Sequence, residues 1–416
     1  MRNPYFIICC VFLLFSCKEN KKETHQLPTV EPLSVIQLFD NPSEEKSQLP
    51  RLFSNGNALY FSWVTRKDST DHLHFSVLKD STWTLPSEIT SGKDWFTNWA
   101  DFPAIAENKG TVLTNILQKS ANGTYTYDIK LNLYDETLKQ IQGEQDFFLH
   151  DDGTKSEHGF VSMQPYNDGL FQVAWLDGRN TSAAHDSETH ESAGAMTLRT
   201  AQVSYNGTIA NRVELDNRVC DCCNTAMAIT NKGPVVVYRD RSDDDIRDIS
   251  ITRLIDSIWT KPETIHKDNW KIAGCPVNGP AVDALDDHLA VAWFTAKNDK
   301  PKVHVIFSED NGETFDIPIR VDTNESLGRV DLVMLSKESA AIVWMELLED
   351  ETLIQLIKVN SNGSRGEVMT VSKTDSSRAS GFPQLEKVGD TLFLAWAMLK
   401  EGGSSIKTAK VAIAQL

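Results

Sequence analysis

The chain has 416 residues, of which 24% are charged and 40% are hydrophobic, and its formal net charge at pH 7 is −17. An acidic excess of this size argues against nucleic-acid binding, which needs a basic surface. Beyond the N-terminal segment, no apolar stretch is long enough to cross a bilayer as a helix.

The first 16 residues have the features of an export signal. Arg2 precedes an apolar run, YFIICCVFLLF, that is too short to span a membrane. The run ends in Leu14-Phe15-Ser16-Cys17, which resembles a bacterial lipobox and implies cleavage before Cys17 and its lipidation; an ordinary cleaved signal is the alternative. Residues 17–32 have the composition of a polar tether. We expect a cell-envelope lipoprotein on the outer membrane, at its periplasmic or surface face, contacting the membrane only through the lipid.

Residues 33–416 contain a strand repeat that returns about every 50 to 65 residues. The second strand of a unit usually ends on an aromatic side chain, although the unit around Leu117 lacks one. These aromatic residues are Trp63, Trp175, Tyr238, Trp293, Trp344 and Trp396. A period of this length made only of strands predicts an all-β fold, a single β-propeller of seven four-stranded blades or, alternatively, six.

The last unit has only three predicted strands, at 381–387, 391–398 and 404–413. The apolar segment 33–39 has no partner of its own near the start of the chain. We expect this segment to pair as the outer strand of the last blade, which would close the ring and remove an exposed sheet edge.

A second signature places a Ser or Thr seven residues before an aromatic residue and ten before a Pro. Its three copies are Ser76–Pro86, Thr252–Pro262 and Ser308–Pro318. In the last copy, SEDNGETF at 308–315 fits the pattern S-x-D-x-G-x-x-aromatic. We expect the Ser and Asp oxygens to bind backbone groups, Gly312 to take a positive φ and Phe315 to pack between blades, a structural role.

Two classes of propeller loop share one face, here called the upper face: the loop leading into the innermost strand and the loop joining the second and third strands. Unusual clusters of Arg, Asp, His, Cys and Trp fall almost entirely in these loops, whereas the other loops are plain turns. The clustered loops are 95–101, 150–159, 176–192, 218–224, 238–248, 270–279, 327–331 and 376–382. This segregation predicts a functional site on the upper face, at the mouth of the central channel.

Arginine suits the bidentate capture of a carboxylate, although pairing with neighbouring aspartates is the alternative for each one. The candidate catalytic arginines are Arg51, Arg239, Arg241 and Arg329, and the candidate substrate-binding arginines are Arg179 and Arg378.

A glycoside hydrolase needs two carboxyl groups with different pKa values beside the scissile bond. The candidate catalytic carboxyl groups are Asp101, Glu157 and Asp177, and those expected to bind substrate are Asp240 and Asp331. Trp95 and Trp99 are either platforms for sugar rings or packing between blades.

Four cysteines follow the N-terminal segment: Cys220, Cys222, Cys223 and Cys275. In an exported protein they predict two disulfides, with Cys275 paired to Cys222 or Cys223 because a Cys222–Cys223 bond would close a strained ring. We expect no metal or other cofactor. The alternative is a copper or zinc site that adds a histidine such as His158, although CDCC is tighter than the usual zinc spacing.

The long loop of the third unit carries a pair of histidines, His185 and His190. Long loops of this kind are often lids. A spaced histidine pair alone is weak support for a metal site, so a solvated loop is the expectation here.

Together, these features resemble secreted bacterial sialidase-like proteins with BNR (Asp-box) repeats. The resemblance rests on SEDNGETF at 308–315, on W-x-x-P strand ends and on LPRL at 49–52. It implies that Arg51 begins a carboxylate-binding triad, with Arg329 and one of Arg239 or Arg241 as further members. Leu52-Phe53 stands where that family has Ile-Pro, and no motif identifies the family's Tyr nucleophile or its Glu partner.

The sequence therefore favours a monomeric, sialidase-like exo-glycosidase whose substrate is a glycan or another carboxylate-bearing molecule. One alternative is a non-catalytic propeller that binds a glycan or a protein. Another is a metal or redox protein that uses the cysteine cluster.

Overall fold

A computed structural model describes Met1 and residues 35–137, 139–141, 147–181 and 194–416. The predicted signal segment, the tether with Cys17 and the histidine pair His185 and His190 lie outside the described residues. Among the described residues, no helix is long and apolar enough to cross a membrane.

The described strands form seven antiparallel sheets in a ring, so the prediction of a seven-bladed propeller is confirmed and the alternative of six blades is wrong. Within each sheet the strands run from the innermost to the outermost in chain order. The last sheet differs, because its outermost strand comes from the beginning of the chain.

The first half of the ring contains three blades and the strand that precedes them. The preceding strand is β1 (Gln37–Phe39). Blade 1 comprises β2 (Ser47–Ser54), β3 (Leu59–Lys67), β4 (Thr70–Lys79), β5 (Thr82–Trp83) and β6 (Ser87–Gly92). Blade 2 comprises β7 (Ile105–Asn108), β8 (Thr111–Lys119), β9 (Tyr127–Asp135), β10 (Gln140–Ile141) and β11 (Phe147–Phe148). Blade 3 comprises β12 (His158–Tyr166), β13 (Leu170–Asp177), β14 (Thr197–Ser204) and β15 (Ile209–Asp216).

The second half contains four blades. Blade 4 comprises β16 (Ala226–Ile229), β17 (Pro234–Arg239), β18 (Ile249–Ile255), β19 (Ile258–Trp259) and β20 (Glu263–His266). Blade 5 comprises β21 (Ala281–Leu285), β22 (His288–Thr295), β23 (Lys302–Ser308) and β24 (Ile319–Arg320). Blade 6 comprises β25 (Glu325–Ser336), β26 (Ser339–Leu348), β27 (Glu351–Asn360) and β28 (Met369–Thr374). Blade 7 comprises β29 (Gln384–Val388), β30 (Thr391–Lys400) and β31 (Gly403–Ala412). Short 3₁₀ turns cover Lys297–Asp299, Arg378–Ser380 and Ile413–Gln415.

The repeated aromatic residues form much of the core between blades. All six that the repeat predicts have at most 1% of their surface exposed. The strands that carry them are apolar on both faces because each blade packs against a neighbour on either side, so burial of these strands favours closure of the ring.

The ring closes where β1 pairs with β31, with Leu38 opposite Ala409. The predicted closure by the N-terminal segment is confirmed, with a shorter strand than the predicted 33–39. Thr408 Oγ1 donates to the carbonyl oxygen of Phe39 at 2.6 Å. The Phe39 ring stacks on Trp83 of blade 1 at 6.2 Å and meets Phe393 of blade 7 edge-on at 5.9 Å.

The turn at 308–315 has the predicted hydrogen bonds. Ser308 Oγ accepts from the N–H of Gly312 at 2.9 Å, and Asp310 Oδ1 accepts from the N–H of Thr314 at 2.8 Å. Gly312 has a φ of 77°, and Phe315 packs against the core between blades 4 and 5. This turn joins the two outer strands of blade 5 on the lower face, opposite the clustered loops.

Candidate functional site

The loops predicted to share the upper face do meet. Asn224 Nδ2 donates to the carbonyl oxygen of Ala100 at 2.7 Å, and the Trp99 ring stacks on Phe382 at 5.8 Å. Below them, the inner strands of six blades and the segment leading into the inner strand of blade 2 line a channel cavity of about 170 Å³. A cavity of this volume is smaller than most ligand pockets.

Several predicted carboxyl groups lie along this channel and link neighbouring blades. Asp101 Oδ1 accepts from the N–H of Phe160 at 2.7 Å, and Asp331 Oδ2 accepts from the N–H of Leu385 at 2.9 Å. Burial raises the pKa of Asp331 to about 6 and raises the pKa of Asp101 well above its usual value. Asp101 Oδ2 has no hydrogen-bond partner among the described residues, so only one of its two oxygens has a structural role.

The arginines predicted to hold a carboxylate have other partners. The guanidinium of Arg329 donates to the carbonyl oxygens of residues 376, 377 and 381 and to the hydroxyl of Ser380, and it lies 4.9 Å above the Trp99 ring. Arg239 is 1% exposed and donates to the carbonyl oxygens of residues 247, 278 and 294. Both guanidinium groups therefore hold loops together, and the geometry gives no support to a triad that includes them.

The remaining predicted arginines differ in their surroundings. Arg51 donates to Gln384 at 2.7 Å beside the channel. Arg241 pairs with Asp221 and Asp245, both at 2.9 Å, which is the local pairing named as the alternative. Arg378 is exposed.

Glu157 and Tyr127 form a pair that the sequence did not suggest. The Tyr127 hydroxyl donates to Glu157 Oε1 at 2.5 Å, and the Phe96 ring stacks on Tyr127 at 4.2 Å. Tyr127 is fully buried, whereas Glu157 is half-buried at the start of blade 3. Burial raises the pKa of Glu157 to about 7, against the opposing effect of the tyrosine hydrogen bond, and the charge of Asp221 raises it further.

The residue after Glu157 begins a buried network between blades 2 and 3. The His158 ring stacks on His150 at 3.9 Å, and its Nε2 lies 3.2 Å from Asp152 Oδ2 and 3.6 Å from Asp177 Oδ1. Burial alone would lower the pKa of His158, but hydrogen bonding to Asp152 and the charges of Asp177 and Asp152 outweigh burial and raise it. His158 therefore belongs to this network and not to the cysteine cluster, where it was suggested as a ligand.

Asp177 ends strand β13 and accepts from the indole Nε1 of Trp175 at 3.0 Å and from two nitrogens of Arg179 at 2.7 Å. Burial opposes its ionisation, but the hydrogen bonds from Arg179, the charge of His158 and the hydrogen bond from Trp175 together outweigh burial and lower the pKa of Asp177. This carboxylate is therefore committed to Arg179 and Trp175, which makes it a poor proton donor.

Next to this network lies a pocket of about 390 Å³, which is within the usual range for ligand pockets. Three arginines contribute to its lining, Arg179, Arg199 and Arg212, of which Arg212 is exposed. The loop 149–157 reaches both this pocket, through His150 and Asp151, and the Glu157 carboxyl group. Arg199 and Arg212 lie on outer strands of blade 3, away from the channel mouth where the sequence predicts the site.

The predicted aromatic platforms are partly structural. Trp95 is 7% exposed and packs in a core cluster with Val64 and Ile116, so the packing alternative applies to it. Trp99 is half-buried between Phe382 and the Arg329 guanidinium. Neither ring presents a free face comparable to the platform expected for a sugar.

Asp240, expected to bind substrate, accepts hydrogen bonds from its neighbours in the loop of blade 4. Its Oδ1 accepts from the N–H of Arg241 at 2.6 Å, and its Oδ2 accepts from Ser250 at 3.1 Å. Burial, followed by the charge of Asp216, raises the pKa of Asp240 to about 6. The group stabilises its own loop.

The four cysteines are free thiols, so the predicted disulfides are absent from the structure. The closest sulfur atoms are those of Cys220 and Cys223 at 2.9 Å, a contact within one loop, whereas Cys275 is exposed on the next loop. Burial opposes ionisation of Cys220, but hydrogen bonds from Cys222 and Cys223 outweigh burial and lower the pKa of Cys220 well below its usual value. Cys220 and Cys223 have C-x-x-C spacing, which is not apparent when CDCC is read as one compact unit.

No protein-family model matches the sequence, and a search of curated proteins finds no match. Among solved structures, a PL25 ulvan lyase bound to -[GlcA(1-4)Rha3S]- aligns with a TM-score of 0.57 at 10% identity, covering 91% of this chain and 96% of that one. The polysaccharide lyase Uly1 aligns with a TM-score of 0.51 at 10% identity, covering 88% and 90%. The NanB sialidase from Streptococcus pneumoniae aligns with a TM-score of 0.46 at 12% identity, covering 96% and 73%. At these identities the likeness shows the fold, a β-propeller, and does not extend to the reaction.

Proposed function

We propose that this protein is a carbohydrate-active propeller whose proton-transfer group is Glu157. The observation that carries the proposal is the Tyr127–Glu157 hydrogen bond of 2.5 Å in a half-buried setting on the upper face. A general acid works best when its pKa lies near the working pH, and burial raises the pKa of Glu157 to about 7. Since Tyr127 is fully buried, Glu157 is the group that would contact substrate, and Tyr127 positions it.

The pocket beside His150 supports a substrate with a negatively charged substituent. The chain is strongly acidic overall, yet this pocket collects Arg179, Arg199 and Arg212. Arg199 and Arg179 already have acidic neighbours, Glu214 and Asp177, while Arg212 has no ion pair among the described residues. Arginine recognises carboxylate and sulfate oxygens through paired N–H groups, so an acidic glycan is the substrate class proposed.

The neighbouring propellers add general support, because those with the highest alignment scores reported above are described as polysaccharide lyases. The sequence suggests a more specific activity, that of a sialidase-like exo-glycosidase. We keep this activity as a proposal, supported by Glu157 and Tyr127 and not by a carboxylate-binding triad of Arg51, Arg239 and Arg329. The upper-face position of the site and the lipobox resemblance fit a glycan-processing lipoprotein of the cell envelope.

The test is turnover by the full-length protein of a fluorogenic sialoside, a uronate-containing polysaccharide and a neutral aryl glycoside. We expect an acidic substrate to be cleaved and the Glu157→Gln variant to lose about 10²–10⁴-fold in kcat, the range usual for general acid–base groups. Tyr127→Phe removes a hydrogen bond that lowers the pKa of Glu157, so it should lower kcat less and move the alkaline limb of the pH–rate profile to higher pH.

The chain offers a matched control, a second Tyr–Glu hydrogen bond on the lower face. The Tyr60 hydroxyl donates to Glu136 at 2.7 Å between blades 1 and 2. Glu136→Gln and Tyr60→Phe should leave turnover unchanged. Wild-type turnover in Glu157→Gln would contradict the assignment of Glu157, and saturable binding without product from any substrate would favour the non-catalytic alternative.

A further inference from the structure

The loop at 217–225 brings three sulfur atoms together beneath the upper face. Cys220 Sγ lies 2.9 Å from Cys223 Sγ and 3.9 Å from Cys222 Sγ, and the three sulfurs lie within 4.8 Å of one another. Sulfurs that share one tetrahedral or trigonal metal ion at about 2.3 Å stand slightly under 4 Å apart. The Cys220–Cys222 distance matches this spacing, whereas Cys220 and Cys223 are closer and would have to move apart by about 1 Å to bind one ion.

The backbone holds this loop firmly in place. The N–H of Cys220 donates to the carbonyl oxygen of Arg239 at 3.0 Å, and the N–H of Val219 donates to the carbonyl oxygen of Met196 at 3.0 Å. Cys220 and Cys223 are 0% and 2% exposed, whereas Cys222 is half-buried. The sulfurs are therefore preorganised, with one side of the cluster open towards Cys275.

Two buried arginines lie beside the cluster, with no carboxylate in close contact among the described residues. Arg247 is 3% exposed and donates to Cys220 Sγ at 3.2 Å; its one ion pair among the described residues is a 3.8 Å contact with Asp245. Arg239, next to Cys220 through the backbone, is 1% exposed and has no ion pair within the described part of the chain. Asp221 and Asp248 supply negative charge to Arg247 and Arg239 at longer range, and the hydrogen bond from Arg247 to Cys220 Sγ is strengthened when that sulfur is a thiolate.

Two chemical states of the cysteines can be compared on this basis. A Cys220–Cys223 disulfide would be neutral and would leave Arg247 donating to an uncharged sulfur. Thiolates bound to a metal ion leave a net negative charge. Three thiolates with copper(I) carry a charge of −2, and four thiolates with zinc(II) carry the same charge. This charge equals in size the combined charge of the two buried guanidinium groups. Soft thiolate ligands select these two ions among those common in proteins.

We propose that Cys220, Cys222 and Cys223 form a metal-thiolate site for a d¹⁰ ion, with Cys275 as a fourth ligand. Copper(I) can be held by three sulfurs, whereas zinc in a structural site needs four ligands. Binding replaces the thiol protons, which pass to solvent, and involves no change in the oxidation state of the metal. The site does not depend on the proposed glycan chemistry.

The experiment measures metal bound to the full-length protein, purified without oxygen and with a thiol reductant. Copper and zinc are measured by mass spectrometry of the metals. The protein is then titrated with copper(I) in competition with bicinchoninate and with zinc in competition with a chelating dye. We expect one ion per chain, with binding abolished in Cys220→Ser and in Cys223→Ser. Cys275→Ser should abolish zinc binding and spare copper(I).

Two further variants distinguish a specific loss of metal binding from general damage to the loop. Arg247→Met removes no sulfur, and we expect it to weaken metal affinity about 10–100-fold, as loss of a supporting contact around a metal usually does. Asp243→Asn, at an exposed side chain of the neighbouring loop, should bind metal as the wild type does. Circular dichroism and thermal melting report whether each variant is folded.

Two results would overturn the proposal. One is a folded wild-type protein that binds neither ion while all four thiols react with a thiol reagent. The other is a protein two hydrogens lighter in mass under these reducing conditions, which would show a disulfide in place of the metal site. Unchanged copper(I) affinity in Arg247→Met would show that the buried guanidinium charge does not favour metal-bound thiolates over a disulfide.

Discussion

Burial sets the charge state of the acidic residues on the upper face, one residue at a time. Glu157 has one short hydrogen bond and, among the described residues, no cationic partner in direct contact, and burial raises its pKa to about 7. For Asp177, the hydrogen bonds from Arg179 and Trp175 and the charge of His158 together outweigh burial and lower the pKa. When two carboxyl groups in one site have very different pKa values, the group with the higher pKa can act as an acid and the other stays ionised. Glu157 and Asp177 follow this pattern.

The raised pKa of Glu157 predicts a pH-dependent difference in stability. Because the folded pKa lies above the unfolded value of 4.5, the stabilising contribution is complete below about pH 4.5 and is lost as pH rises through 7. Relative to Glu157→Gln, the wild type should lose at most about 3 kcal/mol between pH 4 and pH 8. Urea unfolding of both proteins at the two pH values measures this difference. An equal gap between the two proteins at both pH values would show that Glu157 titrates normally.

At the scale of strands, the closure of blade 7 depends on a three-residue strand. β1 contributes backbone pairing with β31, and Phe39 adds ring contacts to Trp83 and Phe393 on either side of the junction. The neighbouring Leu38 points outwards and is 69% exposed. The stabilising contribution of β1 thus comes from one face of a short segment.

This arrangement predicts different effects for two adjacent substitutions. Phe39→Ala should lower the free energy of unfolding by about 2 kcal/mol, less than for a fully buried phenylalanine because Phe39 is only half-buried. Leu38→Ala should change it by less than about 0.5 kcal/mol. Thermal and urea unfolding of both variants provides the comparison. If the two variants lose the same stability, the ring contacts of Phe39 do not contribute to closure.

The elements also show which features could be predicted from the sequence. The blades repeat a local pattern of apolar strands ending in Trp or Tyr, and the strand pairing follows chain order, so blade number and closure were predictable. The partners of Arg239 and Arg329 were not, because backbone carbonyl oxygens from loops up to 55 residues away capture their guanidinium groups. Tyr127 and Glu157 are 30 residues apart and carry no motif, so only the packing of blade 2 on blade 3 reveals the pair.

At the scale of the whole molecule, the dominant electrostatic fact is the net charge of −17 at pH 7. Some of the described ion pairs are exposed on both sides, such as Lys67–Glu44 and Lys109–Asp168, and exposed pairs of this kind contribute about 0–1 kcal/mol each. Self-repulsion among the excess acidic groups acts against the folded state.

This balance predicts that salt stabilises the protein at neutral pH. Between about 10 mM and 150 mM NaCl the screening length falls from about 30 Å to about 8 Å, which screens long-range repulsion while close pairs change less. We expect the Tm at pH 7 to rise over this range. At pH 5, close to the sequence pI of about 5.0, the net charge is near zero and salt screens only the attractive pairs, so the Tm should stay level or fall. Melting curves at the two pH values and two salt concentrations make the comparison. A salt-induced rise of equal size at both pH values would point to a general salting-out effect on apolar surface instead of relief of charge repulsion.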